Sequence, residues 1–241
     1  MNFARSLIFN VASFSWPFIL LVLYLPLLVA RQSWVVGAVR FWVFVIFFLQ
    51  QTLLNLKFEF RGVHLLPETP YIIASAHQSA WDTIAFYAVI RDPGYIVKNE
   101  LTKVPLLSAY VRRLGLVSVN RSGNTGEIRK MIRGVQASID RRRSIVIFPG
   151  GTRSAPGDEV PLKSGINSVY RQCGVPVVPV SLNSGVFWGR RSFLKKSGVI
   201  IAEFHPAIEP GQDISVFSEL LTDCINSGNR RLLREALNQI N

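Results

Sequence analysis

Two cysteines, Cys173 and Cys224, are too few for a disulfide framework, and neither sits in a Cys-x-x-Cys pair or beside a histidine at metal-ligand spacing. The three histidines, at 64, 77 and 205, stand too far apart for a zinc-protease motif. The chain contains no G-x-S-x-G elbow, Walker A loop or G-x-G-x-x-G fingerprint, which sets aside several large enzyme classes. It also lacks internal repeats and low-complexity tracts. Acidic residues are short as well: 15 against 27 basic ones give a formal charge of +12. Such a balance points to an anionic partner, whether nucleic acid, an anionic bilayer or a phosphorylated substrate, and charge alone does not choose among them. The clusters Arg112-Arg113, Arg141 to Arg143, Arg190-Arg191 and Lys195-Lys196 are more commonly solvated faces or helix ends than binding sites.

What is abundant is apolar surface. Hydrophobic residues make up 49% of the 241 and charged ones only 17%, and most of the excess lies before Lys57. From Ser6 to Ala30 no charge occurs, long enough to cross a bilayer if helical. Pro17 and Pro26 are expected to break that run, and a second apolar run from Trp34 to Leu56 carries Arg40. A pair of membrane helices follows, either spanning or lying in one leaflet. The alternative of a cleaved signal peptide is opposed by a basic start of only Arg5 and by the poor cleavage site Leu28-Val29-Ala30. Trp16, Trp34 and Trp42 are placed to serve as interfacial anchors, although core packing explains them nearly as well. The chain thus divides into membrane-anchoring helices over 1–57 and one catalytic-sized domain over 58–241.

After Lys57 short apolar runs alternate with amphipathic ones, the pattern of an α/β fold with a mixed central sheet flanked by helices. Strands are predicted near 56 to 61, 70 to 75, 94 to 98, 115 to 119, 144 to 148, 176 to 182 and 198 to 204. Helices are predicted near 79 to 90, 100 to 113, 125 to 141, 163 to 173 and 214 to 238, the last broken at Gly228.

Two windows carry chemistry. In Ser75-Ala76-His77-Gln78-Ser79-Ala80-Trp81-Asp82 a histidine follows a strand, and Ser79-x-x-Asp82 fits a capping box that starts a helix at Ser79. A carboxylate on one imidazole nitrogen fixes the tautomer and leaves the other free to take a proton from an alcohol. Equally, Asp82 caps a helix and His77 is a loop residue. In Phe148-Pro149-Gly150-Gly151-Thr152-Arg153-Ser154 glycines let backbone N–H groups approach an anion, and Arg153 supplies a bidentate fork. The plainer alternative is a βα turn with a surface arginine. Lys98 and Arg121 also close predicted strands, so several strand ends present basic groups, as at a ligand crevice on an α/β sheet. Arg121 is equally readable as a solvated turn residue.

The window from His77 to Asp82 resembles the H-x4-D motif of the glycerolipid acyltransferases. Val117-Ser118-Val119-Asn120-Arg121 resembles that family's second block, Phe148 to Ser154 its F-P-E-G-T-R block, and Val175 to Val180 its apolar V-P-V-x-P-V block. The four stand in the family's order over residues 58–206, and the similarity is strongest to bacterial 1-acyl-sn-glycerol-3-phosphate acyltransferases. The resemblance implies a catalytic His77–Asp82 dyad, with Lys98, Arg121, Gly150, Gly151, Thr152 and Arg153 binding substrate and the fourth block beside the acyl chain. It implies lysophosphatidic acid as acceptor and no cofactor, with acyl-coenzyme A or acyl carrier protein as the donor co-substrate. Membrane lipids are partners in that setting and nucleic acid is not, and the site faces the cytoplasm from the bacterial inner membrane. Asn120 and Gly150 stand where the family has aspartate and glutamate, which keeps lyso-ornithine lipid and glycerol-3-phosphate open as acceptors. A thioester hydrolase and a non-enzymatic membrane or nucleic-acid binder are the other readings.

Overall fold

The structure, a computed structural model, describes residues 3–120 and 125–240. Two long helices come first, α1 (Phe3–Leu23) and α2 (Gln32–Leu54), joined through a 3₁₀ turn at Leu25–Leu28. The first helix passes residue 17 without interruption, and the chain turns only around Pro26, at the second proline. Asn55 ends α2 in the left-handed region, with its N–H on the carbonyl of Gln50. Among the described residues α2 alone is long and apolar enough to cross a membrane.

The two helices share the core of the rest of the chain. Phe9, Val43, Ile46, Phe47 and Leu54 are buried in the same cluster as the sheet. Their outer faces are apolar yet exposed, at Phe3, Leu7, Ile8, Phe41, Phe44 and Phe48. Arg40 interrupts the apolar run of α2 because its guanidinium turns toward the domain, where Nη1 meets the carbonyl of Ile90 at 3.3 Å. Trp34 is exposed and Trp42 half-buried. The Trp16 side chain lies outside the described residues.

A seven-stranded sheet follows, built from β1 (Leu56–Arg61), β2 (Ile72–Ser75), β3 (Gly94–Lys98), β4 (Val117–Val119), β5 (Ile145–Ile147), β6 (Val177–Leu182) and β7 (Gly198–Phe204). Its order is β1-β7-β6-β2-β5-β3-β4. The pairs β6-β2, β2-β5, β5-β3 and β3-β4 are parallel; β1 pairs parallel with β7, which runs antiparallel to β6. Each residue of β2, β5 and β6 is buried, as strands covered on both faces must be.

Helices α3 (Asp82–Val89), α4 (Pro105–Arg113), α5 (Thr125–Ile139) and α6 (Ser164–Cys173) connect the parallel strands, a short α7 (Ser184–Phe187) follows β6, and α8 (Ile214–Ile240) closes the chain. The last helix is unbroken at Gly228. That glycine lets it lie directly on β6: a Cβ there would sit 2.2 Å from Ser181 Oγ.

Because five strands run the same way, the segments after β2, β3, β4, β5 and β6 emerge on one edge of the sheet. His77 follows the central strand β2, and its neighbours on either side, β5 and β6, feed the loops that surround it. The crevice thus forms where the connections diverge to opposite sides, the place where open α/β sheets bind ligands.

Candidate active site

The backbone between β2 and α3 folds around Asp82, whose side chain is fully buried. Its Oδ2 accepts from the N–H groups of Gln78 at 2.7 Å and Ser79 at 2.8 Å, and lies 3.0 Å from His77 Nδ1. Its Oδ1 accepts from the Ser184 hydroxyl at 2.6 Å. An ionised carboxylate only accepts, so opposite it Nδ1 is the donor, and in the neutral imidazole that tautomer puts the lone pair on Nε2. The helix proper starts at Asp82, three residues later than the sequence suggests. Half of the expected capping box forms, Asp82 reaching back to the Ser79 N–H, but the Ser79 hydroxyl accepts from the Trp81 N–H.

Trp81, fully buried, is clamped between α2 and β1: its ring stacks on Phe47 at 5.6 Å and on Phe60 at 6.0 Å. These contacts fix the start of α3, and with it the carboxylate. Gln78 ties the opposite side, donating from Nε2 to the Leu182 carbonyl and accepting from the Gly185 N–H, each at 3.0 Å.

The glycine-rich loop after β5 covers the imidazole. Phe148 stacks on the His77 ring with centroids 4.1 Å apart, and the Ser154 N–H donates to the His77 carbonyl at 2.8 Å. Gly151 takes φ +70° and donates to the Phe148 carbonyl at 2.9 Å, a turn that a side-chain-bearing residue adopts only with strain. Arg153 is partly buried, and desolvation pulls its pKa below the ordinary guanidinium value; nearby Asp82 opposes that shift and nearby Arg190 adds to it.

Beside Phe148 opens a cavity of about 360 Å³. Its walls are mainly apolar, with Ile96, Ile128, Met131, Ile147 and Ile166 among them, and Gly150, Gly151, Thr152 and Lys163 also line it. The apolar block Val175 to Val180 is not part of this wall. Residues 177 to 182 form β6, on the far side of β2 from the cavity, where they fill the sheet centre.

Of the residues singled out from sequence, His77 and Asp82 meet directly, Gly150, Gly151 and Thr152 line the cavity, and Arg153 stands within electrostatic reach of Asp82. Lys98 is not brought to the dyad: it is exposed at the end of β3, two strand positions or about 10 Å across the sheet from β2. Arg121 lies outside the described residues. Sequence reasoning passed over Ser184, Gln78 and Phe148 as site residues. The signal for Ser184 was its place just past β6, on the same sheet edge as His77.

A family model described as "Acyltransferase" matches residues 57–183. A 1-acyl-sn-glycerol-3-phosphate acyltransferase of Pseudomonas aeruginosa is 26% identical over 170 residues, covering 70% of this chain and 66% of that protein. The alpha form of that enzyme from Mus musculus is 29% identical over 134 residues, 55% of this chain and 47% of its own. The chain therefore spans less than two thirds of the length of these curated relatives. The crystal structure of the 1-acyl-sn-glycerophosphate acyltransferase of Thermotoga maritima aligns with a TM-score of 0.77 at 20% identity, covering 96% of this chain and 98% of that one, and shares its fold.

Proposed function

The chain belongs to the acyltransferase family, and from that premise we propose that it transfers a fatty acyl group from a thioester to the free hydroxyl of 1-acyl-sn-glycerol-3-phosphate, giving phosphatidic acid. The observation that carries this reading is the position of His77: its Nδ1 is held by a buried carboxylate, and its ring stacks on a phenylalanine that lines an apolar cavity beside a glycine-rich, arginine-bearing loop. The names of the relatives supply the acceptor.

In this mechanism the acceptor hydroxyl approaches His77 Nε2, which takes its proton as the oxygen attacks the thioester carbonyl carbon. Asp82 stabilises the imidazolium that results. The new C–O bond forms, the tetrahedral oxyanion collapses, and the C–S bond breaks. The leaving thiolate takes the proton from His77, so the enzyme returns to its starting state without a covalent acyl intermediate. Backbone N–H groups of the glycine-rich loop serve the oxyanion, Arg153 binds the acceptor phosphate, and the cavity receives the acyl chain.

The reaction needs no cofactor; acyl-coenzyme A or acyl carrier protein brings the acyl group. Residues 1–57 hold the protein at the bilayer, with the exposed apolar faces of α1 and α2 against lipid, and 58–241 perform the chemistry. In a bacterium this places the enzyme on the cytoplasmic face of the inner membrane, where donor and acceptor meet. The test offers purified protein a panel of lysophosphatidic acid, lyso-ornithine lipid and glycerol-3-phosphate with both donors. Phosphatidic acid is the expected product; thioester hydrolysis at the same rate without any acceptor would reject the reading.

A further inference from the structure

The segment after β6 begins at the dyad and ends on the first helix, and it carries a guanidinium that the chemistry above leaves unused. Ser184 and Gly185 bond to Asp82 and Gln78. Residues 188–196 then form a strap against α1. Trp188 meets Phe9 edge to face at 5.1 Å, Asn10 Nδ2 donates to the Phe193 carbonyl at 2.8 Å, and the Lys195 N–H donates to Ser6 Oγ at 3.2 Å. The Lys195 ammonium closes the strap on itself through the carbonyls of Ser192 and Phe193. Between these ties, Arg190 reaches back toward the glycine-rich loop, and its Nη1 donates to the Arg153 carbonyl at 3.2 Å.

This geometry gathers positive charge with no carboxylate of the described residues paired to it, Asp82 acting on Arg153 only from beyond ion-pair distance. Among the described residues, neither Arg153 nor Arg190 lies within ion-pair distance of a carboxylate. Arg190 uses one donor on a backbone oxygen, and its Nε and Nη2 have no protein acceptor among the described residues. A guanidinium offers five N–H donors in a planar fork suited to phosphate oxygens. Two such groups at one loop repel each other, and a phosphate monoester, carrying close to two negative charges, relieves that repulsion where a singly charged diester does so only in part. Arg190 bonds the loop whose Ser154 N–H donates to the His77 carbonyl, so a phosphate held there sits at the same end of the sheet as the base.

We propose that Arg190 is a second phosphate-binding residue of the acceptor site, closing on the phosphate monoester from the strap while Arg153 holds it from the glycine-rich loop. The inference rests on the acceptor assigned above. It also gives α1 a part in the site, since the ties at Ser6, Phe9 and Asn10 set where the strap stands.

Steady-state kinetics in detergent micelles, with donor and acceptor varied separately, and equilibrium binding of lysophosphatidic acid test it on wild type, Arg190→Gln, Arg190→Lys and Arg153→Gln. Arg190→Gln is expected to raise the acceptor Michaelis constant and dissociation constant about 10-fold, as loss of a charge-assisted contact does, with kcat and the donor constant within about twofold. Lysine restores part of the loss. An unchanged acceptor constant in Arg190→Gln, or a rise confined to the donor constant, overturns the inference and leaves the functional reading in place. Binding that depends on Arg190 in a protein that acylates no acceptor supports the inference and sinks that reading. Absence of binding by the wild type overturns both.

Discussion

The Ser184 hydroxyl donates to Asp82 Oδ1 at 2.6 Å, so a carboxylate buried at the start of α3 is held in part from the far end of β6. Its other oxygen already takes two backbone N–H groups and the imidazole. Four donors from two separate segments fix its plane, and the imidazole edge follows that plane. The dyad is therefore assembled by tertiary structure as much as by the five-residue spacing of His77 and Asp82.

Ser184→Ala removes the only one of these donors on Oδ1. A hydrogen bond to a charged group contributes about 1.5–3 kcal/mol, and part of that is expressed as freedom of the His77 ring. We expect kcat to fall about 10-fold, with the acceptor Michaelis constant unchanged. Steady-state kinetics on a variant shown to be folded by circular dichroism makes the comparison.

The cavity beside Phe148 makes a separate prediction. Met131 is part of its wall, and Met131→Trp fills space without touching the dyad. Long-chain thioesters should lose rate relative to short-chain ones by about 10-fold, the scale of discrimination that small changes of pocket volume give. Competition between two donors of different chain length measures the ratio directly.

Gly228 marks where α8 crosses β6. A Cβ at that position would lie 2.2 Å from Ser181 Oγ and 2.9 Å from His205 Nε2. Gly228→Ala should therefore cost about 1–3 kcal/mol through overpacking, despite the higher helix propensity of alanine. Chemical denaturation of the detergent-solubilised protein reads the loss.

His205 gives a pH dependence. Burial lowers its pKa from the ordinary histidine value, with Glu203 opposing and Arg231 adding to the shift, and its Nε2 lies 2.8 Å from Ser181 Oγ. The unfolded chain takes up a proton near the ordinary value of about 6.5, whereas the folded chain resists it until lower pH. Below about 6.5 the unfolded state thus binds more protons, and stability falls as pH falls. Thermal midpoints measured from pH about 7.5 to 5.5 should drop more steeply for wild type than for His205→Gln.

Much of the fold was legible because the sheet is buried. Continuous apolar runs such as Tyr71 to Ala74 and Val177 to Val180 mark its strands, and all seven predicted strands are present with ends shifted by at most two residues. Local rules failed where tertiary contact decides. Gly228 reads as a helix breaker, yet close approach to β6 requires a glycine there. The helix at Ser79 starts late because Asp82 spends its carboxylate on the turn before it. In the candidate site, residues 77 and 82 are near neighbours in sequence; their spacing alone left a dyad and a simple helix cap equally open, and the family resemblance singled them out. Ser184 and Arg190 come more than a hundred residues later, and only the parallel arrangement of β2, β5 and β6 brings their loops together.

General base catalysis by His77 is the claim on which the mechanism turns, and acyl transfer from thioester to lysophosphatidic acid by His77→Ala tests it. The side chain is only 11% exposed and does not hold the core together, so the variant should fold and bind acceptor. The account predicts a kcat lower by about 10²- to 10⁴-fold, the usual contribution of a positioned base. A rate within about twofold of wild type would contradict it.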